Sequence, residues 1–271
     1  MTRDLKDLPI GVFDSGLGGL TVVQAIRHAL PAEKILYLGD SARVPYGTRS
    51  AGTVIRYAQK CAEFLVGQGL KMLAVACNTA SAVALPALRA ETDMPVLGVI
   101  TAGARAVTAS GASRIGVIGT AGTIRSGAYS KEIAALAPEC DVIGLPAPLF
   151  VPLAEEGWID GEVPLLAART YLEPLAAKNI DVLLLGCTHY PLLVSPIKAA
   201  LKQLECRAQV VDSATAMGAD IKRVLGESDL RRAPDQVGDL KCFVTDLPDS
   251  FEVVATRFLG NKPGEVKLVD I

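Results

Sequence analysis

The chain has 271 residues, half of them hydrophobic and 21% charged, with a formal net charge of −2. That composition provides for a sizeable core and fits one large globular domain or two modest ones. It argues against a nucleic-acid surface, because no Lys/Arg cluster stands out, and against a membrane span, because the longest apolar runs are strand-sized.

Residues 1–8 alternate charges and lack the apolar stretch of a signal peptide, so the expected compartment is the cytoplasm. From there, short apolar runs alternate with longer amphipathic stretches. Strands are predicted over 10–13, 34–38, 72–76, 96–99, 114–118, 141–145, 182–185, 209–211 and 242–245. Helices are predicted over 20–30, 51–67, 81–91, 102–110, 123–136, 165–177, 192–204 and 214–225. Alternation of this kind, with strands apolar along their whole length, is the mark of parallel sheets covered on both faces. The fold class is therefore α/β.

The order of motifs repeats. Ile10-Gly11-Val12-Phe13-Asp14-Ser15-Gly16 is similar to Ile115-Gly116-Val117-Ile118-Gly119-Thr120-Ala121, each a strand running into a small, polar turn before a helix. Gly11 precedes Cys77 by nearly the span that separates Gly116 from Cys187. Any two strand–helix units share Gly-bearing turns, but the matched spacing favours a true repeat. Two pseudo-symmetric lobes are expected, each a mostly parallel sheet flanked by helices. The first comprises residues 1–98 with 212–271 folding back onto it, and the second residues 99–211. A site in the cleft between them would lie at the C-terminal edges of both sheets, where open α/β folds bind ligands.

The first strand ends in Asp14-Ser15-Gly16-Leu17-Gly18-Gly19, a turn that opens a helix. It lacks the Gly-Lys-Ser/Thr of a P-loop and does not spell the dinucleotide fingerprint. A carboxylate at Asp14 would repel phosphate and attract an ammonium, although a plain helix N-cap is the simpler role. The second strand runs into Gly39-Asp40 and then Pro45-Tyr46-Gly47, where backbone N–H groups of Tyr46 and Gly47 can meet a ligand carboxylate. Taken alone, that stretch reads as an ordinary loop.

Six cysteines, at 61, 77, 140, 187, 206 and 242, form no C-x-x-C pair and should be free thiols. With only His28 and His189 as imidazoles, no metal site is expected. A lone Cys at a strand end is more often inert core. Cys77 and Cys187 differ, because each ends an apolar run and is followed by hydrogen-bonding residues, in Cys77-Asn78-Thr79 and Cys187-Thr188-His189. Thiolate character needs such surroundings, and His189 is placed to hold the proton balance of Cys187. Two thiols facing each other across a cleft suit chemistry in which a proton leaves one face of a carbon and returns to the other.

Four strings carry a resemblance spanning most of the chain in order: residues 13–22 around Asp14-Ser15-Gly16, Gly39-Asp40 through Pro45-Tyr46-Gly47, Cys77-Asn78-Thr79-Ala80-Ser81, and Gly186-Cys187-Thr188-His189-Tyr190-Pro191-Leu192. Together they resemble the glutamate racemases of the cofactor-independent aspartate/glutamate racemase superfamily. The resemblance implies that Cys77 and Cys187 are the two proton donor/acceptors, Cys77 acting on D-glutamate and Cys187 on L-glutamate. It implies substrate binding by Asp14, Ser15, Tyr46, Gly47, Asn78, Thr79, Thr188 and His189. Val151-Pro152-Leu153-Ala154-Glu155 resembles the segment whose glutamate assists the second cysteine, with adjacent Glu156 the alternative. Asp14 or Asp40 would prepare Cys77, and His189 with Glu155 would serve Cys187. No cofactor and no metal are expected, the partner is a second copy in a homodimer, and the product is D-glutamate for peptidoglycan. An aspartate or hydantoin racemase, an exported two-lobed amino-acid binder and a Cys–His hydrolase are the competing readings. The binder has no need of paired thiols, and the hydrolase leaves the second cysteine unexplained.

Overall fold

The computed structural model describes residues 4–246 and 251–271, so only the first three residues of the charged lead lie outside it. Among the described residues, ten strands fall into two sheets, every paired neighbour parallel. The first sheet uses β1 (Ile10–Asp14), β2 (Lys34–Gly39), β3 (Met72–Val75) and β4 (Val96–Gly98). The second uses β5 (Arg114–Gly119), β6 (Asp141–Pro146), β7 (Val182–Gly186) and β8 (Gln209–Asp212). Near the C-terminus, β9 (Asp239–Val244) pairs with β2, and β10 (Val266–Leu268) extends that edge.

The order is β10-β9-β2-β1-β3-β4 in one sheet and β6-β5-β7-β8 in the other. Without the two late strands both sheets follow the same winding, so β1 corresponds to β5 and β3 to β7. The sequence repeat is thus a repeat of topology, and Cys77 and Cys187 leave equivalent strands at equivalent ends.

Helices cover the sheets: α1 (Leu20–Ala29), α2 (Ala51–Gly67), α3 (Asn78–Ala90), α4 (Val99–Thr108), α5 (Ala121–Ser126), α6 (Ala128–Leu136), α7 (Phe150–Glu156), α8 (Glu162–Ala176), α9 (Val194–Gln203), α10 (Ser213–Glu227) and α11 (Phe251–Leu259). Alternate side chains of each strand serve different cores, which is why these strands are apolar throughout. Met72 and Ala74 face a core shared by the two sheets, while Leu73 and Val75 face the α2/α3 side. In the second sheet Leu183 and Leu185 join the shared core, whereas Val182 and Leu184 pack under α4 and α6. The shared core is built largely from α1, α10, α8 and α9, so hydrophobic burial binds the two halves into one molecule.

Several expected boundaries move for local reasons. The helix expected over 123–136 is two, because Gly127 turns left-handed (φ 65) between α5 and α6. The helix expected from residue 81 starts at Asn78, because the Cys77 thiol caps it by accepting from the Ala80 N–H at 3.4 Å. The strand expected from 242 begins at Asp239, and α7, α11 and β10 were not expected at all.

Candidate active site

The C-terminal edges of both sheets converge on one cleft. From the first sheet, β1 ends at Asp14, which is fully buried. Its Oδ2 accepts from the N–H groups of Gly16 (3.2 Å) and Gly19 (3.0 Å), while its buried Oδ1 finds no partner among the described residues. Burial pushes the Asp14 carboxyl up, opposed by the charge of His189 and by those backbone donors. A buried carboxylate oxygen left open is a standing invitation to a cationic ligand.

Cys77 follows β3, and its thiol donates to Ser15 Oγ at 3.5 Å. Burial pushes this thiol up to about 12, with the neighbouring Asp14 adding to the effect and the contacts to Ser15 and Ala80 opposing it. Cys187 contributes to the same upward push, so the two thiols feel each other across the cleft. At neutral pH Cys77 therefore carries its proton.

Cys187 follows β7, and its Sγ lies 3.8 Å from His189 Nδ1, which is also 3.5 Å from Thr188 Oγ1. The other ring nitrogen, Nε2, is 3.0 Å from Glu155 Oε1. Glu156 is exposed and makes no such contact, so the geometry distinguishes the two acids. Burial alone would discourage a charged His189, but its bonds to Cys187 and Glu155 prevail and raise it to about 10. A raised folded value makes this pair a source of stability that is full below the ordinary 6.5 and lost as pH rises through about 10. Glu155→Gln should therefore lower the melting temperature clearly at pH 7 and hardly at all above pH 10, checked by thermal melts at the two pH values.

Between the cysteines the halves meet through hydroxyls. Thr79 Oγ1 lies 3.0 Å from Thr120 Oγ1 and 3.3 Å from Thr123 Oγ1, and Thr120 and Thr123 are 3.1 Å apart. Asn78 accepts from Tyr129 Oη (2.6 Å) and donates to Ser213 Oγ (3.3 Å), and Thr21 Oγ1 donates to the Thr188 carbonyl (3.0 Å). These bonds gather hydroxyl and amide groups from both halves in one place.

The Tyr46 side chain is buried and engaged within the first half. Its phenol donates to Asp40, with Cys61 3.9 Å away. Asp40 is also held by Arg43 (2.8 Å to Nε) and Thr245 (2.9 Å). Only the backbone of Tyr46–Gly47 is left for the cleft, and a Cβ at Gly47 would come within 2.9 Å of Thr120. Asp40 thus anchors the Tyr46 loop, while Asp14 is the acid beside Cys77.

Thr120, Thr123, Tyr129 and Ser213 were not singled out in the sequence. The repeat contained a signal for Thr120, which stands where Ser15 stands in the first half. Among the described residues, no three His, Cys, Asp or Glu side chains are gathered as a metal ion would require.

Paired parallel sheets with a cysteine at the equivalent end of each, beside Asp14, His189 and Glu155, are the frame of an α/β enzyme. The family model described as Asp/Glu/Hydantoin racemase matches residues 10–219, and the chain belongs to that family, whose members are isomerases. Its relatives include the glutamate racemase of Geobacter metallireducens, 51% identical over 97% of this chain and 96% of the relative. Among solved structures, glutamate racemase from Francisella tularensis in complex with D-glutamate superimposes with a TM-score of 0.91 at 37% identity, covering 98% of each chain. The Thermus thermophilus enzyme in complex with beta-chloro-D-alanine gives 0.88 at 44% identity, again over 98% of each. This chain thus groups with the glutamate racemases within its family.

Proposed function

We propose that the chain interconverts L- and D-glutamate by two-cysteine proton transfer at Cα, without a cofactor. The observation that carries this reading is the equivalence of Cys77 and Cys187, one at the end of each repeated strand, with complementary polar neighbours. Asp14 Oδ1 would hold the substrate ammonium. The Tyr46–Gly47 backbone, Ser15, Asn78, Thr79 and Thr188 would hold its carboxylates, with Thr120 and Thr123 added by geometry.

Starting from L-glutamate, the Cys187 thiolate takes the Cα proton and the Cys77 thiol gives its own to the opposite face. The turnover leaves Cys187 as thiol and Cys77 as thiolate, and exchange with solvent resets the pair. A Cα–H is a very weak acid, so the developing enolate-like charge must be met by donors fixed in advance at the carboxylate. His189, backed by Glu155, would share the proton of Cys187. Asp14 would keep the ammonium charged beside the reacting carbon.

The same reading places the enzyme in the cytoplasm, as a homodimer supplying D-glutamate to peptidoglycan. No helix among the described residues is long and apolar enough to cross a membrane, which is compatible with that placement. It also takes residues 1–98 with 212–271, and residues 99–211, as the two units that close on substrate.

The experiment is circular dichroism with L- and D-glutamate, and with L- and D-aspartate, without added pyridoxal phosphate. Inversion of glutamate well ahead of aspartate is the expected result, and preference for aspartate would overturn the substrate. The cleft offers a second expectation. A Cβ on Gly122 would sit 2.7 Å from the Gly47 carbonyl and 3.3 Å from Thr79 Cγ2. Gly122→Ala should force apart two elements assigned to substrate and raise KM for glutamate roughly tenfold. A KM unchanged from wild type would remove that stretch from the binding surface.

A further inference from the structure

The Glu155 carboxylate that meets His189 is 42% exposed and stands in the last turn of a seven-residue helix. A half-exposed side chain on so short a helix loses entropy when it is fixed, so something must fix the helix end. That something comes from the far end of the chain. Arg257 of α11 donates through Nη1 to two carbonyls in the last turn of α7, that of Glu155 and that of Ala154 (3.2 Å), the latter shared with the Gly157 N–H. The guanidinium lies against Gly157, whose left-handed backbone (φ 83) ends α7. A Cβ there would come within 2.5 Å of Arg257 Nη2 and 2.7 Å of its Cζ. The next residue, Phe258, meets the His189 ring edge-on, with centroids 5.2 Å apart and planes at 83°. Finally, Gln24 of α1 donates to the Leu259 carbonyl at 3.2 Å, anchoring α11 to the helix that carries Thr21.

We propose that α11 is a strut that sets the Glu155–His189 contact, with Arg257 a positioning residue for the proton relay at Cys187. The strut rests on the function proposed above. Arg257 touches neither thiol. It acts by holding the α7 end, so that Glu155 reaches Nε2 while Phe258 orients the ring toward Cys187. The bland alternative is that Arg257 merely caps a helix. The two differ in what happens at His189, which is faced by Cys187, Glu155 and, through its charge, Asp14.

The test uses the full chain with Arg257→Met, Arg257→Lys, Glu155→Gln and the Arg257→Met/Glu155→Gln double variant. Two readouts are taken, the NMR titration of His189 and the kinetics of glutamate inversion. His28 is the only other imidazole, so assignment is direct. Arg257→Met is expected to lower the His189 titration by about one pH unit. It should also cut kcat roughly 10- to 100-fold with KM nearly unchanged, as a misplaced catalytic group does. Arg257→Lys should recover most of both, since an ammonium can serve the same carbonyls. In the Glu155→Gln background, Arg257→Met should cost less than about twofold, because the residue it positions is already lost. Losses that simply multiply, or a His189 titration indifferent to Arg257→Met, would overturn the strut. Should Arg257→Met melt below the assay temperature, Arg257→Gln carries the same reading. A wild-type chain that inverts no glutamate but whose His189 still responds to Arg257 sinks the proposed function and leaves the strut standing. Active wild type with an unresponsive His189 does the reverse.

Discussion

Cys77→Ser and Cys187→Ser should each reduce glutamate racemisation by about 10²–10⁴-fold, the range over which a positioned acid or base contributes. The two losses have different causes. Cys77 is held as a thiol by burial and by Asp14, which suits it to deliver a proton when L-glutamate is inverted. A serine hydroxyl is a far weaker acid and fails at that delivery. Cys187 sits against an imidazole raised to about 10 by its own partners, so the charge opposite it is positive at neutral pH. A serine there fails as the base. In heavy water each variant keeps one working face. Cys77→Ser should wash deuterium into L-glutamate without inverting it, and Cys187→Ser should do so only for D-glutamate. A single swinging base predicts instead that one substitution abolishes both exchange and inversion while the other does little. Either variant racemising at the wild-type rate would end the two-thiol mechanism.

The parts of this site legible in the sequence are those where chemistry and local structure coincide. Cys77 and Cys187 end buried strands, and an apolar run stopping at a polar cluster is visible without coordinates. Asp14 is legible for the same reason, since a carboxylate in a Gly-rich turn is out of place in a phosphate loop. The strands were legible because the central ones, β1, β3 and β7, are buried along their whole length and the flanking ones keep their apolar runs, and only their ends shifted by a residue or so. What stayed hidden depends on contacts between distant segments. The sequence around Tyr46 does not say that its phenol turns to Asp40, a carboxylate also held by Thr245 about two hundred positions away. The α7 segment, Phe150–Glu156, contains Pro152 and is too short for periodicity to declare it a helix. In α11, Val253 and Val254 dilute the helical signal, and the helix earns its place by packing on α1 and α7. Glu155 over Glu156 is the sharpest case, because two adjacent identical residues can be separated only by the direction each one faces.

The other large effect belongs to the opposite end of β3, where stability rather than chemistry is at stake. Lys71 precedes β3, the strand that leads to Cys77, and its ammonium is fully buried, 2.5 Å from the equally buried Glu33. It also donates to the carbonyls of Lys6 and Leu230, both at 2.8 Å, while Glu33 accepts from the Arg232 N–H at 3.0 Å. One cation thus ties the N-terminal segment, the start of β2 and the loop leading to β9. Burial draws the ammonium below its usual range, and Glu33 opposes that pull. Lys71→Met leaves the Glu33 carboxylate buried without its counter-charge and should cost about 3–5 kcal/mol. Adding Glu33→Leu should return most of that loss, since an apolar pair of similar volume is often neutral or better. Urea unfolding of the single and double variants measures both. The kcat of the folded fraction should stay near wild type, because the whole length of β3 separates this ion pair from the thiol. A single variant within about 1 kcal/mol of wild type, below the usual range for a broken buried pair, would show that Glu33 does not depend on Lys71 for its counter-charge.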